Sequence, residues 1–520
     1  VSPTPPTAEQ ADPIIDDPRQ RRAVLVAVCV ALMAVIASVT GLNVAQPELA
    51  VDFDASQSEV LWFINLYTLS LAALLLPLGA LGDRWGRKPM LLAGLTLFGL
   101  ANASSAVATS TEMMLASRFV AGVGAAMIMP VTLAVITSTF PEEERAKGIG
   151  AWTAVGGGGG LLGMYLSAVL VDVASWRWLF ALPIVLVVVA AAMTIRSVPS
   201  TREPSEHRFD TLGSVASMLA VLGLVYALHE GPVNGWDEPA TLAALVIGAA
   251  ATLGFARWEL RQHAPLLDIR LFRDRRLATG SLSILVVFGV QAGILVVLFP
   301  FLQVVLGWSA LHATAGMLPM AVLMMASSVL APRVAQHAGS RRTMALGVGV
   351  VTLGLVLMAT LVSVDGGYLS VLPGILSLGF GMGLAMTPST EAITSSLSQN
   401  RQGLASALND VTREFGTAIG VALLGAVLTA GYRNAIEPQL VGAPDDVARP
   451  AREGLANAVA AASDLDDPSD ALINAARQSF VDGWQHAMWA GVAAMVALLL
   501  FIVLRPERPD RPDLDTAGTR

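Results

Sequence analysis

One cysteine, Cys29, in 520 residues excludes an intramolecular disulfide and leaves no cysteine-based metal site. Charge is scarce as well: 14% of residues are Asp, Glu, Lys or Arg, against about 25% in an average soluble domain. Only two lysines, Lys88 and Lys147, accompany the arginines. No Gly-rich loop is followed by the Lys-Ser/Thr pair that holds a nucleoside triphosphate, and no zinc signature or nucleophile constellation appears. These absences argue against an ATP-driven machine, a metalloenzyme and a catalytic triad, and the net charge of -8 argues against a nucleic-acid binder. The chain is thus expected to be no enzyme, to carry no cofactor and no metal, and to have no nucleic acid as a partner.

What is abundant is apolar surface. Hydrophobic residues make up 54% of the chain and the mean hydropathy is +0.63. A bilayer-crossing helix needs about 20 mostly apolar residues, and about fourteen such runs can be marked. They lie near 23–44, 61–81, 90–108, 113–137, 147–171 and 179–195; then 211–228 and 241–258; then 278–303, 311–334, 344–364, 368–396, 403–430 and 485–504. Arginine-rich connections alternate with acidic ones. "DRWGRK" (83–88), "EEERAK" (142–147), the 257–276 stretch and "RVAQHAGSRR" (333–342) fall on one side; "PELAVDFDASQSE" (47–59), "HEGPVNGWDEPA" (229–240) and the Asp/Glu-rich 432–482 connection fall on the other. Positive residues mark the cytoplasmic side, which puts both termini inside and requires an even number of spans. The expected class is an all-α integral membrane protein of 14 transmembrane helices. Residues 1–22 read as a disordered cytoplasmic tail, 23–195 as a first six-helix bundle, and 196–276 as a linker with two extra transmembrane helices. Residues 277–504 read as a second six-helix bundle with an extracytoplasmic loop at 432–482, followed by a cytoplasmic tail at 505–520. In that loop "AREGLANAVAAASDL" suggests one short amphipathic helix.

A weak internal repeat, "GALGDRWGRKPM" (79–90) and "RVAQHAGSRRTM" (333–344), recurs after the second span of each six-helix block, as in transporters built from repeats around a central site. The first copy, with Gly79, Leu81, Asp83, Arg84, Gly86, Arg87 and Lys88, resembles the cytoplasmic-loop signature of the major facilitator superfamily. "LASRFVAGVGAA" (115–126), "WRWLFALP" (176–183), "TPSTEAI" (387–393) and "GLASALNDVTREFGTAIG" (403–420) resemble spans of its fourteen-span drug/proton antiporters. The resemblance implies the major facilitator fold, two six-helix bundles plus two extra central helices, working by alternating access in the bacterial inner membrane. It implies that Gly79, Asp83, Arg84, Gly86, Arg87 and Lys88 form a conformational gate in which Asp83 pairs with an Arg and caps a neighbouring helix. Three places depart from the family pattern. Ser38 and Asn65 stand where relatives carry Asp, and "VGGGGGLLGMY" (155–165) stands where Gly-Pro pairs are usual.

Physical reading adds the charges inside spans. Asp410, Arg413 and Glu414 lie at i, i+3 and i+4 and share a helix face. Entering the span near Gln402, Asp410 lies about 12 Å and Glu414 about 18 Å deep, where a charge costs on the order of 3 kcal/mol, so the face must turn inward. Two acids around one Arg suggest a proton-accepting pair; the alternative is a static network that locks helices together. Glu391 is a second proton-site candidate, an Arg partner or a snorkelling side chain. Arg118 either anchors a polar end of the substrate or meets an acid from another helix. Asn43, Asn65, Tyr67 and Gln291 are candidate polar groups of a substrate cavity, and Gly159 and Gly163 are candidate hinges or close-packing positions. The expected activity is proton-coupled export of small amphipathic compounds by a monomer whose partners are substrate, protons and the lipid bilayer. The rivals are export of an endogenous lipid or metabolite on the same fold, and a transport-inactive sensor or assembly subunit.

Overall fold

The computed structural model describes residues 14–200, 209–262, 265–441, 444–463 and 470–504. Fourteen of its helices are long and apolar enough to cross a membrane. They are α1 (Pro18–Val44), α2 (Gln57–Trp85), α3 (Arg87–Ala106), α4 (Thr111–Thr139), α5 (Glu142–Val173), α6 (Ala181–Ser197), α7 (Thr211–Asn234), α8 (Pro239–Glu259), α9 (Arg275–Pro300), α10 (Ala310–Ala338), α11 (Ser340–Leu361), α12 (Gly367–Thr394), α13 (Gln402–Ile436) and α14 (Asp470–Leu504).

Side-chain capping sets many of the starts. Ser56 and Glu59 form a reciprocal capping box at α2, and Asp17, Ser110, Asp210 and Ser309 each accept a first-turn backbone N–H. Helices α1–α6 pack on one another, as do α9–α14, giving two bundles. The extra pair, α7 and α8, pack closely together, with Gly223 against Gly248, and α7 lies on both α2 and α13. The pair therefore sits over the seam between the bundles, where Tyr226 of α7 meets Trp62 of α2 at a centroid distance of 5.9 Å. The outer side of α8 presents Leu242, Val246, Ile247 and Leu253, a surface suited to lipid.

Three boundaries differ from the sequence reading. Helix α1 starts at Pro18, inside the segment expected to be a tail, because Asp17 caps it and Ile15 is buried with its N–H donated to Thr139 O; residues 1–13 lie outside the described residues. Helix α14 starts at Asp470, about four turns before the apolar run, since Phe480, Val481 and Trp484 are buried on one side of an otherwise polar stretch. The single helix expected at 451–465 is two, Asp445–Glu453 and Leu455–Ser463, separated by an extended Gly454. The residues expected as the tail at 505–520 lie outside the described residues.

Candidate functional site

The bundles meet closely at the end of the molecule that carries Asp83. A methyl group on Gly79 of α2 would lie 2.6 Å from Ala407 Cβ and 2.7 Å from Gly403 O on α13, and one on Gly403 would lie 2.5 Å from Gly79 O. Only two glycines let these backbones touch. Asp83 exploits the approach: its carboxylate accepts the N–H of Gly403 at 2.8 Å and of Leu404 at 3.0 Å, capping the first turn of a helix in the opposite bundle. Arg87, 3% exposed, donates to Asp83 Oδ1 at 3.2 Å and to Gln399 O at 3.1 Å. Gly86, at φ 104°, makes the turn between α2 and α3, and Lys88 Nζ caps α6 through Ile195 O at 2.8 Å. Arg84 is half-buried and has no ion pair among the described residues.

From this end the seam stays closed to mid-bundle along α5 and α10. Gly150 lies against Ser328 O, Gly157 against Met324, and Gly158 against Ala321 O and Met325. The "GGGGG" run is thus a multi-sided packing surface on an unbroken helix. Gly159 and Gly163, singled out in the sequence, face Met33, Ala37 and Thr40 of α1 within their own bundle, whereas Gly150, Gly157 and Gly158 meet the opposite bundle.

About two turns along α13 from the Asp83 contact lie its buried charges. Asp410 is fully buried; its Oδ1 is 3.6 Å from Arg413 Nη1 and accepts from Asn409 Nδ2 at 3.4 Å, while Oδ2 has no hydrogen-bond partner. Thr390 of α12 donates to Asn409 Oδ1 at 3.1 Å, tying the carboxylate to a second helix. Arg413 reaches across the seam: Nη2 donates to Gly156 O of α5 at 3.4 Å, and its guanidinium lies 4.3 Å from the Phe288 ring of α9 and 5.6 Å from the Trp152 ring of α5. Trp152 is anchored by its Nε1–H to Thr132 Oγ1 at 3.0 Å. Glu414 is half-buried and shares the field of Arg413 and Asp410. Sequence reasoning brought Asp410, Arg413 and Glu414 together. It missed Thr390, Asn409 and Trp152, whose only sequence signal is polarity or aromaticity inside a span.

Arg118 and Tyr67, expected in the cavity, are fully buried in the first bundle in this conformation. Gln291 is 7% exposed with Oε1 unpartnered, and on α9 it lies one turn from Phe288. The Asn65 and Glu391 side chains are half-buried without a hydrogen bond among the described residues, and the Asn43 side chain lies outside them. Among the described residues no group of His, Cys, Asp and Glu could hold a metal.

The comparisons with known proteins agree with this architecture. The Major Facilitator Superfamily profile matches residues 27–421. Methyl viologen resistance protein SmvA of Salmonella typhimurium is 31% identical over 503 residues, covering 92% of this chain and 96% of that protein. Multidrug resistance protein Stp of Mycobacterium tuberculosis is 30% identical over 433 residues, covering 83% and 80%. The crystal structure of the human organic anion transporter MFSD10 shares the fold, with a TM-score of 0.61 over 94% of this chain and all of that one at 14% identity. Twelve apolar helices in two bundles with an extra pair over the seam, a profile match over most of its length and relatives aligned nearly end to end place this multi-pass inner-membrane protein in one family: the chain belongs to the Major Facilitator Superfamily.

Proposed function

We propose that the protein exports small amphipathic compounds by alternating access, driven by protons that Asp410 and Glu414 bind and release. The observation that carries this reading is the divided attachment of Arg413, between Asp410 on its own helix and Gly156 of the opposite bundle. With Asp410 ionised, the guanidinium is neutralised and can be buried in the closed seam. Protonating Asp410 leaves a buried cation without its counter-charge; breaking such a pair costs about 3–5 kcal/mol. Opening the seam at the Asp83 end hydrates Arg413 and relieves that cost. One proton thereby favours the inward-open form, and its release on the cytoplasmic side favours the closed form seen here. Glu414 supplies a second carboxylate beside a single guanidinium, so a proton or a cationic substrate can balance the remaining charge, and the two compete.

The names of the relatives, a methyl viologen resistance protein and a multidrug resistance protein, support drugs as the substrate class. Ser38 and Asn65 lack the acids that the family pattern places in the first bundle, which favours neutral and monocationic compounds over dications. The test is uptake of a dye panel into everted vesicles energised with an acid-inside gradient, with and without an uncoupler. Monocationic dyes should accumulate more than methyl viologen, and the uncoupler should abolish accumulation. Absence of accumulation for every compound would overturn the reading in favour of a sensor.

A further inference from the structure

Two acids close the corner where the extra pair begins and ends. Asp210 caps the start of α7 and Glu259 is the last residue of α8. A methyl group on Gly213 would lie within 3.0 Å of both Asp210 Oδ2 and Glu259 Oε1, so the absence of a side chain there lets the carboxyl groups converge. Their facing oxygens are within about 5 Å of each other, too close in a buried corner for both groups to carry charge with no cation between them.

The hydrogen bonds tell the two acids apart. Asp210 Oδ1 accepts the Gly213 N–H at 2.8 Å, and the Trp258 indole N–H lies 3.1 Å from Oδ1 and 3.0 Å from Oδ2. Glu259 is 2% exposed; its Oε2 accepts the Leu267 N–H at 3.3 Å, and its Oε1 has no hydrogen-bond partner. A buried oxygen left without a partner is costly, and this one faces the other acid. A proton resolves the conflict, because a carboxyl O–H on Glu259 would have Asp210 Oδ2 as its acceptor while Oε2 still accepts from Leu267. Other charged groups lie nearby. Arg257 and Arg261 flank Glu259 in sequence, Arg270 Nη2 donates to Leu260 O at 2.9 Å, Asp268 accepts the Arg270 N–H at 3.0 Å, and Arg401, just before α13, is within electrostatic reach of Glu259. None of them forms an ion pair with Glu259 among the described residues.

We propose that Asp210 and Glu259 share a single proton, carried on Glu259 Oε1 and donated to Asp210, and that this bond fastens the connection 260–274 to the extra pair. The site is separate from the coupling pair on α13. Glu259 holds the Leu267 N–H, and Leu266 and Leu267 are buried, so the corner docks the segment that leads into α9 and the second bundle. Loss of the proton leaves two like charges about 5 Å apart, and at an effective dielectric of about 20 their repulsion shifts an equilibrium by more than tenfold. The fastening therefore gives way in alkaline surroundings.

Infrared difference spectroscopy on the purified full chain in lipid at pH 7 reads the proton directly. Wild type minus Glu259→Gln should show the C=O stretch of a protonated carboxyl group, and Asp210→Asn should shift that band by removing its acceptor. Hydrogen exchange reads the fastening. Protection of the amides of 260–274, corrected for intrinsic rates, should fall about tenfold or more in the wild type between pH 7 and pH 9. It should stay constant in Glu259→Gln, whose amide donates to Asp210 without a proton to lose. Size-exclusion profiles identify folded variants, and the Asp210→Asn band shift carries the test if Glu259→Gln misfolds. Ionised-carboxylate bands alone in the difference spectrum, or a protonated band that neither variant alters, would overturn the shared proton. Terbium luminescence excited through Trp258, and lost in Trp258→Phe, would also overturn it by showing a metal cation in the corner. Equal protection at both pH values in the wild type would overturn the fastening.

Discussion

Substituting Gly403 by Ala is the smallest change that should pry open the Asp83 end. The new methyl would lie 2.5 Å from Gly79 O and 2.8 Å from Asp83 Oδ1, so the intruder meets backbone on one side and the capping carboxylate on the other. Neither can rotate away without breaking the bonds from Gly403 and Leu404 N–H to Asp83. Overpacking of this kind costs about 1–3 kcal/mol. Because the cost falls only on the closed conformation, the ratio of open to closed molecules should rise roughly 5- to 150-fold. Spin labels at Trp85 and Asn400, both exposed at this end and on opposite bundles, report the separation in a Cys29→Ser background. Electron–electron resonance on the labelled protein in nanodiscs should show a new long-distance population in Gly403→Ala, and Gly79→Ala should reproduce it. An unchanged distance distribution in both variants, with both folded, would refute the claim that this glycine contact holds the end shut.

Other expectations follow from individual contacts. Removing the Phe288 ring, which lies 4.3 Å from the Arg413 guanidinium, with Phe288→Leu should lower gradient-driven transport by about 2- to 30-fold, the range of one cation–π contact, while gradient-free substrate exchange falls less. Within the glycine run the response should be position-specific in a vesicle transport assay. Gly158→Ala drives a methyl to 2.9 Å from Ala321 O and should strongly impair turnover, whereas Gly160→Ala meets Ile36 Cγ2 at 3.6 Å and Thr40 Cγ2 at 4.0 Å, both ordinary contacts, and should be tolerated. At the opposite end from Asp83, the indole N–H of Trp176 and then the Arg177 guanidinium hold Asp52 below its ordinary carboxylate value of 3.8. A depressed carboxylate contributes stability above its unfolded value and loses it as pH falls through the folded one. The melting temperature of the wild type should therefore drop more between pH 5 and pH 3 than that of Asp52→Asn; equal drops would exclude this contact as a source of acid sensitivity.

Much of the fold is legible in the sequence because a bilayer imposes two strong constraints, about 20 apolar residues per crossing and arginine on one side. The same constraints explain the errors at the boundaries. Hydropathy marks where a helix can meet lipid, and it is silent on the helical extension Asp470–Trp484, which is held by buried side chains outside any apolar run. The Asp83 contact was expected by resemblance because Gly79, Asp83, Gly86 and Arg87 fall within the nine residues 79–87, though only coordinates reveal that Asp83 caps Gly403 and Leu404, more than 300 residues away. The spacing of Asp410, Arg413 and Glu414 fixed their shared face. It could not reveal that Arg413 is shared with Gly156, since a backbone carbonyl leaves no mark on composition. Tyr67 and Arg118 read as cavity residues because polar groups inside spans usually line one. Here the close approach at Gly122 buries them, and Ser38 supplies the partner an acid would have been.

The most direct test of proton coupling through α13 is proton movement itself. Proteoliposomes loaded with a pH-sensitive dye, with no imposed gradient, receive substrate on one side, and the internal pH is followed. The wild type should move protons opposite to the substrate, and both Asp410→Asn and Glu414→Gln should abolish the signal while still binding substrate. Substrate-induced proton flux at the wild-type rate in both variants would contradict the assignment of these carboxylates as the coupling pair.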